Sequence, residues 1–197
     1  TMVYARFLQT KVVQDFDNAS FHSPFATFKA IATLDLDYRV YDSEAEGNSK
    51  DNVTSGRYSL HRLGNSVHYE NALVLNTTDK IAEGERYTVS FKVKMGKHSH
   101  TDGAIKVVSS RNYQYAWSTT GDYYPVVAIN DLTDGQWHEV SYTFNSVESY
   151  ASIQTPGGVE LFIDDVTFTL ANDVPLSTPI TYTEYVSSQQ DENKIDV

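Results

Sequence analysis

The chain has 197 residues, with 15 Lys and Arg, 26 Asp and Glu, no Cys, and a net charge of −11 with histidine neutral. That length supports one domain with its own core, plus at most a tail. Disulfides, thiolate metal sites and cysteine nucleophiles are excluded, and the acidic balance has the wrong sign for tracking phosphate or an anionic membrane.

No apolar run reaches the roughly 18 to 20 residues of a spanning helix, and the opening TMVYARFLQT carries no apolar signal segment. Aromatics make up 13% of the chain, among many Thr, Val and Ser, which is a β-sheet composition. In chain order, strands are predicted over 28–38, 56–63, 72–76, 87–95, 104–109, 112–119, 126–129, 138–144, 149–155 and 159–170. The clearest is 87–95, where Tyr87, Val89, Phe91, Val93 and Met95 alternate with Thr88, Ser90, Lys92 and Lys94. Turns at Glu83-Gly84, Asp102-Gly103, Asp134-Gly135 and Gly157-Gly158 separate them. About ten short strands without helical periodicity predict an all-β sandwich, a jelly roll of two antiparallel sheets. Residues 41–54 read as a polar surface loop. The domain is expected over 1–171, with 172–197 a linker towards another module, or with 180–186 as one extra edge strand.

Three blocks stand in a telling order: VVQDFDNASF at 12–21, SGRYSLHRLGNSVHYENALVLNTTDKIAEGERYTVSFKVKM at 55–95, and TDGQWHEVSYTF at 133–144 followed by VELFIDDVTF at 159–168. Together they resemble the carbohydrate-binding modules of families 4, 9 and 22, jelly rolls appended to xylanases and glucanases. Two departures concern the ligand: Asp17-Asn18 stands where Glu and Gly are commoner, and Tyr69 stands in place of a Trp.

The resemblance implies a structural calcium clamping the first strand to the last, with ligands at Asp15, Asp17, the Gly56 carbonyl and Asp164. Alternation along the closing strand sets Asp164 on one side with Phe162, Val166 and Phe168, the core side, where an unpaired carboxylate is costly. Oxygen ligands on a hard cation satisfy such a group. Hydrogen bonds from the opening loop, or pairing with Lys11, would satisfy it equally.

Sugar recognition needs flat aromatic faces and planar polar groups. RNYQYAWS puts Tyr113, Tyr115 and Trp117 on one strand face, with Tyr123 and Tyr124 in the next loop and Arg111, Asn112, Gln114 and Asp122 around them. A stripe at spacing two is either sandwich core or platform. The resemblance adds Arg62, Tyr69 and Gln154, with His68, Glu70 and Asn71 beside Tyr69; the bland reading of Arg62 and Gln154 is solvated sheet face. It also makes Trp137 buried packing. His98 and His100 read as a polar hairpin tip.

No G-x-S-x-G, H-E-x-x-H or phosphate loop occurs, and none of Glu70, Glu139, Glu148 and Glu160 sits in a catalytic signature. The expected function is therefore a non-catalytic, extracellular module, monomeric within a larger hydrolase. It binds xylan or β-glucan in a groove, with no nucleic acid and no membrane insertion. An adhesive protein-binding sandwich, or a jelly-roll hydrolase or lyase, are the alternatives.

Overall fold

The computed structural model describes residues 11–14, 28–29, 37–65, 70–75, 84–110, 122–147 and 150–184. Among them are eleven strands: β1 (Lys11–Gln14), β2 (Phe28–Lys29), β3 (Tyr38–Asp42), β4 (Tyr58–Arg62), β5 (Glu70–Leu75), β6 (Arg86–His98), β7 (Ala104–Ser110), β8 (Asp122–Ala128), β9 (His138–Asn145), β10 (Tyr150–Thr155) and β11 (Val159–Leu170). Sheet A runs β3-β4-β11-β6-β9 with β1 also paired to β11, and sheet B runs β2-β5-β10-β7-β8. Each pairing is antiparallel, so the expected two-sheet jelly roll is the fold.

The core lies between the sheets, where Val89, Phe91, Val93 and Met95 of β6 meet Ile105, Val107, Ala151 and Ile153 of sheet B. Each such side chain, removed from water, stabilises the fold by roughly 1.5 to 3 kcal/mol. β6 alternates as its sequence dictates, with Thr88, Ser90, Lys92 and Lys94 on the other face, half-buried.

β11 does not keep one phase. Leu161 and Ile163 face the core, and after a register shift between Asp164 and Thr167 the inward residues are Val166 and Phe168. Asp165 sits at this bulge with a φ of 50°. Phe162 and Asp164 therefore lie on the outer side, correcting the grouping of Asp164 with Val166 and Phe168. The same place divides the strand's edge: β4 pairs with Leu161–Ile163 and β1 with Val166–Thr169.

The 43–57 loop is a surface loop, as expected, with residues 44–51 and 55–57 exposed, and it is tied to the outer face of sheet A. Lys94 Nζ donates to Asp51 O and Asn52 Oδ1, and Ser49 N and Asn52 Nδ2 donate to Tyr41 Oη. Trp137 Nε1 donates to Asp51 O at 2.8 Å. Trp137 is half-buried, on this outer side, where core packing was expected.

His98 and His100 point to different backbone partners, Gly96 O and Gly157 O, as a hairpin tip would have them. Beyond β11, residues 172–184 carry no regular secondary structure but hydrogen-bond to both sheets.

Candidate binding face

In β10, Ala151 and Ile153 point into the core, and Thr155 points the same way with its hydroxyl 2.7 Å from Tyr38 Oη. Ser152 and Gln154 therefore project from the outer face of sheet B. Gln154 stands in register with Asn71 on β5 and with Lys106 on β7, and Lys106 stands opposite Pro125 on β8. The next row runs Val74, Ser152, Val108, Tyr123. Gln154, Ser152 and Val108 are only 3%, 4% and 2% exposed although they face away from the core, so these side chains are covered on the outer side of the sheet. Burial lowers the Lys106 pKa, with the Glu184 carboxylate opposing it.

The structure distributes the other sequence candidates differently. Arg62 follows Leu60 onto the inner side of sheet A and is fully buried, its Nε on Asp37 Oδ2 at 2.7 Å and its Nη1 on Thr155 O at 2.6 Å. It plugs one end of the space between the sheets, with its guanidinium 5.1 Å from the Tyr38 ring centroid. Tyr124 lies on β8 and not in a loop. It faces inward, its ring 5.6 Å from Tyr142 and 5.8 Å from Phe144. Burial first, and Asp122 beside it, push its phenol up to about 12. Glu70 stands in register with Thr155. Tyr69, Tyr113, Tyr115 and Trp117 lie outside the described residues, as do Asp15 and Asp17.

Sequence reasoning missed Lys106 on this face and named Tyr123 only as part of a loop. Lys106 had a signal, since it breaks an apolar run between Ile105 and Val107 and must point the opposite way from both. Tyr123 was placed with Tyr124, and only the strand that carries them separates the two faces.

At the β11 bulge, Asp164 is fully buried. Its Oδ2 accepts Thr54 N at 2.9 Å and Thr54 Oγ1 at 3.0 Å, and its Oδ1 accepts Asp165 N at 2.8 Å. Thr54 Oγ1 is also 2.7 Å from Asp165 Oδ2, and one hydroxyl proton cannot serve both carboxylates. Burial raises the Asp164 pKa to about 6, with the hydrogen bonds from Thr54 opposing it. Lys92 reaches only Asp165, at 3.5 Å. Ser55 Oγ donates to Asp165 Oδ1 at 2.7 Å, so the two carboxylates share the Thr54 hydroxyl and each has a further donor. Two adjacent carboxylates are a hard-oxygen pair, and Gly56, with a φ of 61°, is two residues past Thr54. No group of three His, Asp or Glu placed to hold a metal occurs among the described residues.

An open depression of about 710 Å³ lies on the opposite side, on the outer face of sheet A, lined in part by Tyr41, His61, Lys94, Glu160 and Phe162. His61 stacks on Phe162 with ring centroids 4.4 Å apart, and Tyr41 meets both edge-on. Those rings are 9%, 4% and 9% exposed, so they offer little surface for stacking. His61 Nε2 donates to Glu160 Oε2 at 2.8 Å.

Comparison with known proteins gives the context. The family described as "Carbohydrate binding domain" matches residues 18–155. The CBM22-1 xylan-binding domain of Paenibacillus barcinonensis Xyn10C is 14% identical with a TM-score of 0.53, covering 83% of this chain and 95% of that one. The K1 cleaved adhesin domain of Lys-gingipain from Porphyromonas gingivalis W83 is 13% identical with a TM-score of 0.51, covering 82% and 98%. Both share the fold. No curated protein matches the chain.

Proposed function

The chain belongs to the carbohydrate-binding modules of the 4/9/22 group, and from that premise we propose that it is a non-catalytic module holding a plant-type polysaccharide, xylan or β-glucan, on the outer face of sheet B. The observation that carries this reading is the row through Gln154. Gln154 and Lys106, both able to hydrogen-bond hydroxyls, stand in register on adjacent strands of sheet B, and Asn71 is the register partner of Gln154 on β5. Tyr69, Tyr113, Tyr115 and Trp117 supply the stacking rings in this proposal, and the sugar lies along a groove. The xylan-binding character of the Paenibacillus domain agrees with this choice of ligand.

The proposal includes a structural calcium. Asp164 and the Gly56 carbonyl, with Asp15 and Asp17, hold it at the bulge where β11 passes from β4 to β1. The crowded Asp164–Thr54–Asp165 oxygens support it. A polymeric ligand puts the module outside the cell, as one part of a larger hydrolase.

The test is affinity electrophoresis of the full chain on xylan, mixed-linkage β-glucan, xyloglucan and mannan, with reducing-sugar release measured on the same samples. Retardation without release is expected. Release would make the protein an enzyme, and neither would leave adhesion to a protein partner, a reading kept in view by the adhesin domains of the same fold.

A further inference from the structure

The segment after β11 takes a defined route. Ala171 N donates to Arg86 O, Asn172 Oδ1 accepts Arg86 N, and Val174 O accepts Arg86 Nη1, which fixes its start on β6. At Ser177 it reaches β9, the end strand of sheet A: Ser177 N donates to Thr143 O at 2.9 Å, and Thr143 N donates to Ser177 Oγ at 3.0 Å. At Ile180 it has crossed to β8, the end strand of sheet B, where Ile180 N donates to Pro125 O at 3.1 Å. Gly103 N then donates to Thr183 O at 2.7 Å. The segment is a strap over two sheet edges whose backbone groups would otherwise invite another chain.

The strap also carries one aromatic past the edge strand. Lys106 Nζ lies 5.5 Å from the centroid of the Tyr182 ring, and Tyr182 Oη donates to Glu184 Oε1 at 2.7 Å. Lys106 belongs to β7, the second strand in from that edge, and is the register partner of Gln154. Tyr182 therefore stands beside the polar row, half-exposed, as an aromatic next to a cation. An aromatic held at the edge of a sheet face beside a cation has the form of a pyranose-stacking wall.

We propose that Tyr182 is a glycan-contacting residue and that 180–184 form the β8-side wall of the groove. The inference rests on the reading of sheet B as the glycan face. It makes the strap part of the binding unit, so a chain ending at 171 lacks one wall of its site.

The experiment is titration of full-length wild type, Tyr182→Ala, Tyr182→Leu and Tyr182→Phe with the polysaccharide that retards the wild type, alongside thermal melts. Tyr182→Ala and Tyr182→Leu should weaken binding about tenfold or more, and Tyr182→Phe should stay close to wild type, because the ring face and not the hydroxyl carries the contact. Tyr182→Leu keeps apolar cover on Lys106, so weak binding at an unchanged melting temperature separates lost stacking from lost folding. Binding by the Ala and Leu variants equal to wild type overturns the inference while leaving the glycan face intact. Tighter binding also overturns it, since the ring would then be occluding the groove. A wild type that no glycan retards overturns the reading of the face together with the inference.

Discussion

The two outer faces of this sandwich are built from similar alternating strands and are reached by different segments of the chain. On sheet A the 43–57 loop settles onto the strands, and Tyr41, Lys94, Trp137 and Asp164 spend their polar atoms holding it there. On sheet B the described loop contacts come from the strap at one edge, and the middle of the face keeps Gln154 and Lys106 in one polar row. Aromatic density does not separate a binding face from a structural one. What distinguishes the two faces is the segment that reaches each: the 43–57 loop crosses sheet A at Lys94, and the strap after β11 reaches the β8 edge of sheet B with Tyr182 beside Lys106.

The strongest way to break that comparison is at the plug between the faces. Asp37→Ala leaves the buried Arg62 guanidinium without its carboxylate, and about 3 to 5 kcal/mol of stability should be lost in chemical denaturation. A loss below about 1 kcal/mol would mean that the pair is not the anchor described here. Next is the cation. Excess chelator should lower the melting temperature by about 5 to 10 °C, the scale of an ion held at about a hundred times its dissociation constant in a domain this size. Asp164→Ala should abolish the response, and an identical wild-type melt with and without chelator removes calcium from the account.

For the proposed stacking ring, Trp117→Ala should weaken glycan binding about 30- to 150-fold, the equivalent of about 2 to 3 kcal/mol of stacking area, with the melt unchanged. Unfolding instead would make that ring core. On the sheet A side, Trp137→Ala should do the reverse. It loses the bond to Asp51 O and part of a half-buried ring, costing about 1 to 2 kcal/mol of stability while glycan affinity stays at the wild-type value. Weakened binding in that variant would erase the division of labour between the faces.

The smallest effect concerns pH. Burial holds the His61 pKa below its ordinary value near 6.5, with Glu160 opposing the shift. The folded protein therefore takes up this proton less readily than the unfolded chain does. Stability from this group is complete above about pH 6.5 and is lost as the pH falls through the lowered value. The stability gap between wild type and His61→Gln should accordingly narrow between pH 7.5 and pH 5; a gap that widens on acidification reverses the sign.

Much of the fold was legible because alternation is a physical constraint on a half-buried strand. β6, β9 and β11 were readable to within a few residues for that reason. Alternation cannot report its own interruptions. The bulge at Asp164 and Asp165 moves Asp164 off the core side, and nothing in ELFIDDVTF marks where the phase slips. Arg62 looked like a surface residue because its partner Asp37 is 25 positions away, and charge pairing between neighbouring strands joined by a long loop has no local signature. The strap looked like a linker for a similar reason. Its bonds go to strand edges, which accept almost any sequence, so Pro, Ser and Thr serve there without any apolar pattern.

The division of the β11 edge between β4 and β1 has a consequence for how this molecule is made. Lys11–Gln14 cannot pair until Val166–Thr169 exists, so sheet A joins nearly the first and the last parts of the domain. Such pairing must close a very long loop before any contact rewards it, which places folding among slow, high-contact-order β proteins on the millisecond-to-second scale. Until that closure the outer half of β11 offers one open edge, and β1 is the piece that arrives to finish it. Deleting β1 should therefore act first on the refolding yield, through the time the chain spends with that edge exposed.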